Sequence, residues 1–352
     1  MTDLLTRRAL LAIAASGVGT VLSGRAAAQD ALPQSEDPLI LRPEIEGVDP
    51  RYARYALSGV HLTPSAPFGI SSGLSNVAVF HPRNAATARV IVFSHGALSS
   101  PLTYRELIWH WVSHGFVVLA PQHNDAVIEA GPTLRKNEVG KVSQWPVASL
   151  LEDPAAWYAR VQTCKACLDM VDLVEGATGI KLNLDRPVIA GHGYGAYIAQ
   201  LLLGAKVTQA DGKSASFRDP RFFSGICMSP QGPGVMGLSE ESWKEMTAPC
   251  LFLLSENDFD FTGQPSREKG KGYQLSHPGY KHLGFLVGGG PNTFTGQTSQ
   301  TSEKEGKLFE AMKAMSTAFL SAYANYDTTA FEDMKTKFFE RMSLGAITEF
   351  IR

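Results

Sequence analysis

The stretch Gly191-His192-Gly193-Tyr194-Gly195-Ala196 has the spacing of a turn built for acyl transfer, with one residue changed. It follows the apolar run Pro187-Val188-Ile189-Ala190 and precedes the helix-forming Tyr197 to Leu203. Strand, tight glycine turn and helix together make the setting of a nucleophile elbow, G-x-S-x-G, which exposes its serine at the top of a sheet. The flanking glycines fit, because neighbours in so tight a turn can carry almost no side chain. The central residue here is Gly193. Without a hydroxyl at that position, attack on a carbonyl carbon has no nucleophile.

Other residues could supply chemistry. Ser94, Ser99, Ser100 and Ser229 stand at or near predicted strand exits but on no elbow, and read as capping or turn hydroxyls. His123 and Asp125 form a His–Asp pair at a strand exit, opening the irregular stretch 122–150 that also holds Trp145. That stretch is long enough to suggest a functional loop. His123 and Asp125 are candidate ligand contacts, with a solvated loop as the alternative reading, and Gln231 at a later strand exit is a further candidate. His110 and His114 have the i, i+4 spacing of metal ligands but lack the glutamate of H-E-x-x-H, so they read as helix-surface histidines. No metal and no cofactor is expected. Cys164-Lys165-Ala166-Cys167 lies inside a helical pattern and not at a helix start, so it reads as core, as do Cys227 and Cys250.

These residues need elements to hold them. With 352 residues, 44% of them hydrophobic, the chain can bury a large core. Its formal net charge is −2 and it has no basic block, which argues against nucleic acid as a partner. Thr6-Arg7-Arg8-Ala9-Leu10-Leu11, a short apolar stretch and Ala26-Ala27-Ala28 read as a twin-arginine signal peptide over 1–28. The chain is then expected in the periplasm or outside the cell, with no membrane span after cleavage. A linker over 29–55 and a single domain over 56–352 complete the expected organisation.

Strands are predicted at 76–81, 89–94, 116–120, up to 190, 223–228, 249–254 and 282–287. Helices are predicted at 102–114, 154–175, after the elbow, and at 239–246, 303–323 and 329–342. Residues 205–220 read as a polar excursion. Phe338, Phe339 and Met342 could face a second copy of the chain, or pack on the domain. Strands apolar on both faces and separated by helices imply an α/β protein with a mostly parallel sheet covered on both sides. Ligands then sit outside the carboxyl ends of the strands.

With that order in hand, the chain resembles the α/β-hydrolase fold. It closely resembles one branch, the bacterial dienelactone-hydrolase-like proteins related to platelet-activating-factor acetylhydrolase. The matching stretches are Phe93 to Gly96, Tyr104 to Leu107, Ser113 to Gln122, Ala190 to Ala196, Phe217 to Pro220 and Met228 to Gly234. The resemblance implies hydrolysis of a carboxylic ester or lactone by a Ser, acid and His triad. Its nucleophile position falls on Gly193. Its acid position falls on Asp258, with Asp260 as a nearby substitute. Its histidine position falls on Pro291, or on Asn292 with a one-residue slip. Its oxyanion hole would be the backbone N–H groups of Ala97 and Tyr194, and His95 and His192 would be structural. Two of the three triad side chains are then absent. The expectation is an esterase-lineage protein that binds a small ester-, lipid- or aromatic-type ligand without triad hydrolysis. An active ester or lactone hydrolase using substitute residues in the same pocket stays open.

Overall fold

Thr87–Ser94 and Phe116–Pro121 are β-branched and aromatic runs, buried on both faces for most of their length, and they pair side by side. A strand apolar on both faces must lie inside a sheet with a layer on each side. A computed structural model describes residues 49–57, 62–71, 73–125, 151–209, 211–259, 262–297 and 302–352. The expected signal peptide, the linker up to residue 48, residues 126–150 with Trp145, and Asp260 lie outside the described residues.

Among the described residues, nine strands form one sheet in the order β1-β2-β4-β3-β5-β8-β9-β10-β11. They are β1 Phe68–Ser71, β2 Asn76–Phe80, β3 Thr87–Ser94, β4 Phe116–Pro121, β5 Lys181–His192, β8 Ser224–Met228, β9 Cys250–Ser255, β10 Lys281–Leu286 and β11 Ile347–Ile351. The six central strands β4, β3, β5, β8, β9 and β10 run parallel. The edge strands β1, β2 and β11 are antiparallel. Strands β6 Lys206–Thr208 and β7 Ser214–Ser216 make a separate hairpin inside the expected excursion.

Alternation along the strands divides the core. Val90, Val92, Val117, Leu119 and Ile189 face one layer, with helices α3 (Pro154–Asp169) and α5 (Tyr194–Leu203). Ile91, Phe93, Val118 and Ala190 face the other, with α1 (Pro50–Ala56), α2 (Arg105–Ser113) and α8 (Glu303–Tyr323). This is the α/β-hydrolase fold. No helix among the described residues is long and apolar enough to cross a membrane.

Several boundaries differ from the expectation. The 102–114 segment opens as a 3-10 turn, Pro101–Tyr104, before α2 begins. The 154–175 segment breaks at Met170 into α3 and α4 (Val171–Thr178). Residues 239–246 form successive i to i+3 turns and no helix. Two further short helices, α6 (Ser266–Lys269) and α7 (Lys271–Leu275), precede β10. The 329–342 segment divides into α9 (Thr328–Lys335) and α10 (Phe338–Met342) around Lys337, whose φ is 54°. Strand β11 was not foreseen. Helix α1 forms within the expected linker, capped by the Asp49 carboxylate on the Arg51 N–H at 2.7 Å. It docks through Tyr55, whose hydroxyl donates to Asp333 Oδ2 at 2.8 Å. Phe338 and Phe339 are buried and pack near the rings of Tyr52 and Tyr55, so packing on the domain is the reading that holds for them. His110 is buried, not on the helix surface, and bonds to the Tyr55 carbonyl at 2.8 Å. All four cysteines are buried thiols.

Candidate functional site

The elbow is set by register. Gly191 lies opposite Ser94 on β3, and His192 opposite Met228 on β8. The Gly193 N–H donates to Met228 O at 2.9 Å, and Gly193 O accepts from Tyr197 N at 3.0 Å as α5 begins. Gly193 has φ 53° and ψ −117°, which only a strained turn imposes on a residue with a side chain. A Cβ on Gly191 would sit 2.3 Å from Gly195 O, and one on Gly195 would sit 1.8 Å from Ser94 O. A Cβ on Gly193 would meet nothing within 4 Å. The turn thus keeps the backbone and the room for a projecting side chain, and the residue there has none.

Ala97 follows β3 and Tyr194 is the first residue of α5. Neither amide has an acceptor among the described residues. Their neighbours are held. The Gly96 N–H donates to Tyr104 Oη at 3.2 Å, and the Leu98 N–H to Asp125 Oδ2 at 3.3 Å. Arg160 completes the clamp from α3. It donates to His95 O at 2.6 Å and Gly96 O at 3.4 Å, and its Nε and Nη2 reach the two Asp125 oxygens at 3.0 and 2.6 Å. Its guanidinium lies 4.1 Å from the centre of the Tyr194 ring. One buried ion pair therefore braces both residues that bear the free amides. Burial pushes the Asp125 carboxyl up, but the Arg160 charge and hydrogen bonds outweigh it and hold the group below its ordinary value. Asp125, expected as a ligand contact, is engaged inside the protein.

His123 is also buried. Its Nε2 lies 2.8 Å from Ser94 Oγ, and its backbone N–H donates to His95 Nε2 at 3.1 Å. Burial first, then the Arg160 charge, drive both His95 and His123 well below the usual imidazole value, so both rings are neutral at pH 7. Asp125 is bound to Arg160 and not to His123, so the Ser94–His123 pair has no orienting acid.

Asp258 follows β9. Its Oδ1 accepts from Ser229 Oγ at 2.9 Å and from Lys269 Nζ at 3.1 Å, and Lys269 also donates to Ser229 Oγ at 3.0 Å. The Asp258 and Lys269 side chains are 0% exposed. A buried carboxylate requires such a partner. Ser229 has φ 50°, a strained backbone, but it is buried inside this ion pair, so the turn does not expose its hydroxyl. Gln231 is buried too, and its carbonyl accepts from Gln200 Nε2 at 3.2 Å.

After β10 the chain reaches a 3-10 turn, Pro291–Thr295. Asn257 N–H to Gly289 O at 2.8 Å and Ser255 Oγ to Gly290 O at 3.2 Å fasten it beside the loop that carries Asp258. Pro291 and Asn292 are exposed, and Phe294 is buried with its ring centre 5.1 Å from that of His192. His192 Nδ1 in turn lies 2.7 Å from Tyr104 Oη. His282 is at the opposite end of β10 and bonds to Tyr323 Oη at 2.7 Å. A groove of about 540 Å³ also lies at that far end, lined by Thr87, Arg89, Lys181 and Asp185.

Sequence reasoning missed Arg160, Tyr104 and Lys269. Arg160 was findable, as a lone charge in the buried stripe Trp157, Val161, Cys164 and Leu168 of α3. Lys269 was not, because Ser266-Arg267-Glu268-Lys269 looks like any solvated surface run.

A Chlorophyllase family model matches residues 66–210, which takes in the elbow and the loop after β3 but neither Asp258 nor Pro291. Chlorophyllase-1, chloroplastic, from Citrus unshiu and from Citrus sinensis, is 34% identical to this chain over 64 residues. Those residues are 18% of this chain and about a fifth (20%) of each relative's length. The chain thus has the α/β-hydrolase fold and, over part of its length, a distant similarity to the Chlorophyllase family, an esterase-type family.

Proposed function

We propose that this chain is an exported member of the esterase lineage. It binds a small ester-, lipid- or aromatic-type ligand at the elbow and does not hydrolyse it through a triad. Within that lineage we read it as a relative of the dienelactone-hydrolase-like and platelet-activating-factor-acetylhydrolase-like proteins, a reading supported by the motifs it shares with them. One observation carries this reading. Gly193 holds the backbone of a nucleophile without the hydroxyl, and the turn after β10 offers Pro291 and Asn292 where a base is needed. The free amides of Ala97 and Tyr194 support binding of a carbonyl oxygen. Twin arginines at positions 7 and 8 support export.

The test is direct. The purified chain is exposed to p-nitrophenyl butyrate and to a fluorophosphonate probe. The expected result is saturable ester binding, no covalent label and no saturable turnover. Gly193→Ser alone stays inert, because no base takes the serine proton. Gly193→Ser combined with Pro291→His, or separately with Asn292→His, is the pair of variants from which esterase activity is expected to emerge. Rapid, saturable turnover by the natural chain would overturn the proposal.

The Ser94–His123 contact favours a second reading, in which substitute residues run a hydrolysis. It requires that His123→Ala abolish an activity on esters or lactones. The burial of both groups and the commitment of Asp125 to Arg160 weigh against it.

A further inference from the structure

Glu349 lies in the middle of β11, at the open edge of the nine-stranded sheet, and is fully buried. Arg352 and Lys281 exchange backbone bonds at 2.8 and 3.0 Å, and Val287 N–H donates to Ala346 O at 3.0 Å. Alternation along the strand then turns the N–H groups of Ile347 and Glu349 outward. Side chains occupy both of these outward groups. Ser343 Oγ accepts from Ile347 N at 3.0 Å, and Glu340 Oε2 accepts from Glu349 N at 2.8 Å. Glu349 reciprocates, its Oε2 accepting the Glu340 N–H of α10 at 2.8 Å. An unpaired edge invites association with another strand, and this one is covered from within the chain.

The cover contains a conflict. Two carboxyl groups meet across two backbone bonds, and Glu349 Oε1 is buried without a hydrogen-bond partner among the described residues. The charged groups facing Glu349 come from α10 and its start. Glu340 opposes it, Arg341 attracts it, and Lys337 Nζ lies 3.6 Å from Glu340 Oε2. On β10, Lys281 and His282 stand at the other end of the register, beside Arg352 and Ile351. On α8, Lys313 is paired with Glu310.

We propose that Glu340 and Glu349 form a carboxyl clasp that shuts the C-terminal edge of the sheet while Glu349 is protonated and loosens β11 and α10 when it ionises. Burial raises the Glu349 carboxyl from its ordinary 4.5 to about 7, against the lowering effect of the Glu340 and Phe339 amides. A group raised on folding favours the closed form fully below its ordinary value, and that preference is lost as pH rises through about 7. Loosening reaches the site as well. Val287, held by Ala346, precedes the turn that carries Pro291.

Hydrogen exchange followed by mass spectrometry on the full chain tests this between pH 5.5 and 8.5, after correction for the intrinsic rate, with β9 as internal reference. Opening of residues 338–351 relative to β9 should grow by roughly tenfold or more across that range. Glu349→Gln should remove the dependence, and Glu340→Gln should shift its midpoint downward by removing the like charge that raises Glu349. Protection of β11 that is independent of pH in the natural chain overturns the proposal. So does an unchanged pH response in Glu349→Gln. If Glu349→Gln does not fold, the natural chain and Glu340→Gln decide the matter.

Discussion

Three glycines within five residues make a graded test of the elbow. Gly193→Ser places a side chain at φ 53°, ψ −117°, where a new Cβ touches nothing within 4 Å. The cost is backbone strain alone, about 1–3 kcal/mol. Gly191→Ala drives its Cβ to 2.3 Å from Gly195 O, and Gly195→Ala to 1.8 Å from Ser94 O. Both contacts are with backbone inside the sheet or the turn itself, which cannot rotate aside. Each should cost more than ~4 kcal/mol or prevent folding. Urea unfolding followed by circular dichroism reads the difference, and thermal scans should show Gly193→Ser lowered by about 2–6 °C. Gly193→Ser as damaging as Gly195→Ala would mean that the turn is not an elbow with room at its apex. A stabilised Gly193→Ser would mean that the backbone there is not strained.

The remaining predictions concern the buried ion pairs. Arg160→Met leaves the Asp125 carboxylate buried and alone, which should cost about 3–5 kcal/mol in urea unfolding, and adding Asp125→Asn should recover a good part of it. Because Arg160 holds the Asp125 carboxyl below its ordinary value, that stabilisation is present above about pH 4 and fades as pH falls further. Natural chain and Asp125→Asn should therefore converge in stability on the acid side, as scans between pH 2.5 and 6 would show. Lys269→Met should be destabilising by a similar ~3–5 kcal/mol, and Lys269→Met with Asp258→Asn less so than the sum of the single changes. Strict additivity in that cycle would count against a working contact between the two side chains.

Much of the site could be read before any tertiary structure. The elbow announces itself through Gly191, Gly193 and Gly195, whose spacing reflects a local steric demand. The exits of β3, β4, β5 and β9 follow from apolar runs that end in polar residues. Helix ends were less legible. Met170 and Lys337 interrupt segments whose apolar period continues, because tertiary packing and not propensity sets those breaks. Strand β11 was hidden for the same reason, since Ile347–Ile351 is short and its Glu349 is buried only by reciprocal bonding to Glu340.

From the sequence alone came the parallel sheet and the glycine elbow with Gly193 at its centre, since these depend on residue identity and short-range period. Tertiary structure decided the partners. Arg160 finds Asp125, Lys269 finds Asp258, and Ser94 finds His123 across intervals of 35, 11 and 29 residues. Periodicity reports that a charged or polar residue is buried. Which group compensates it depends on how strands separated in the chain come to lie side by side, and that is a property of the whole sheet.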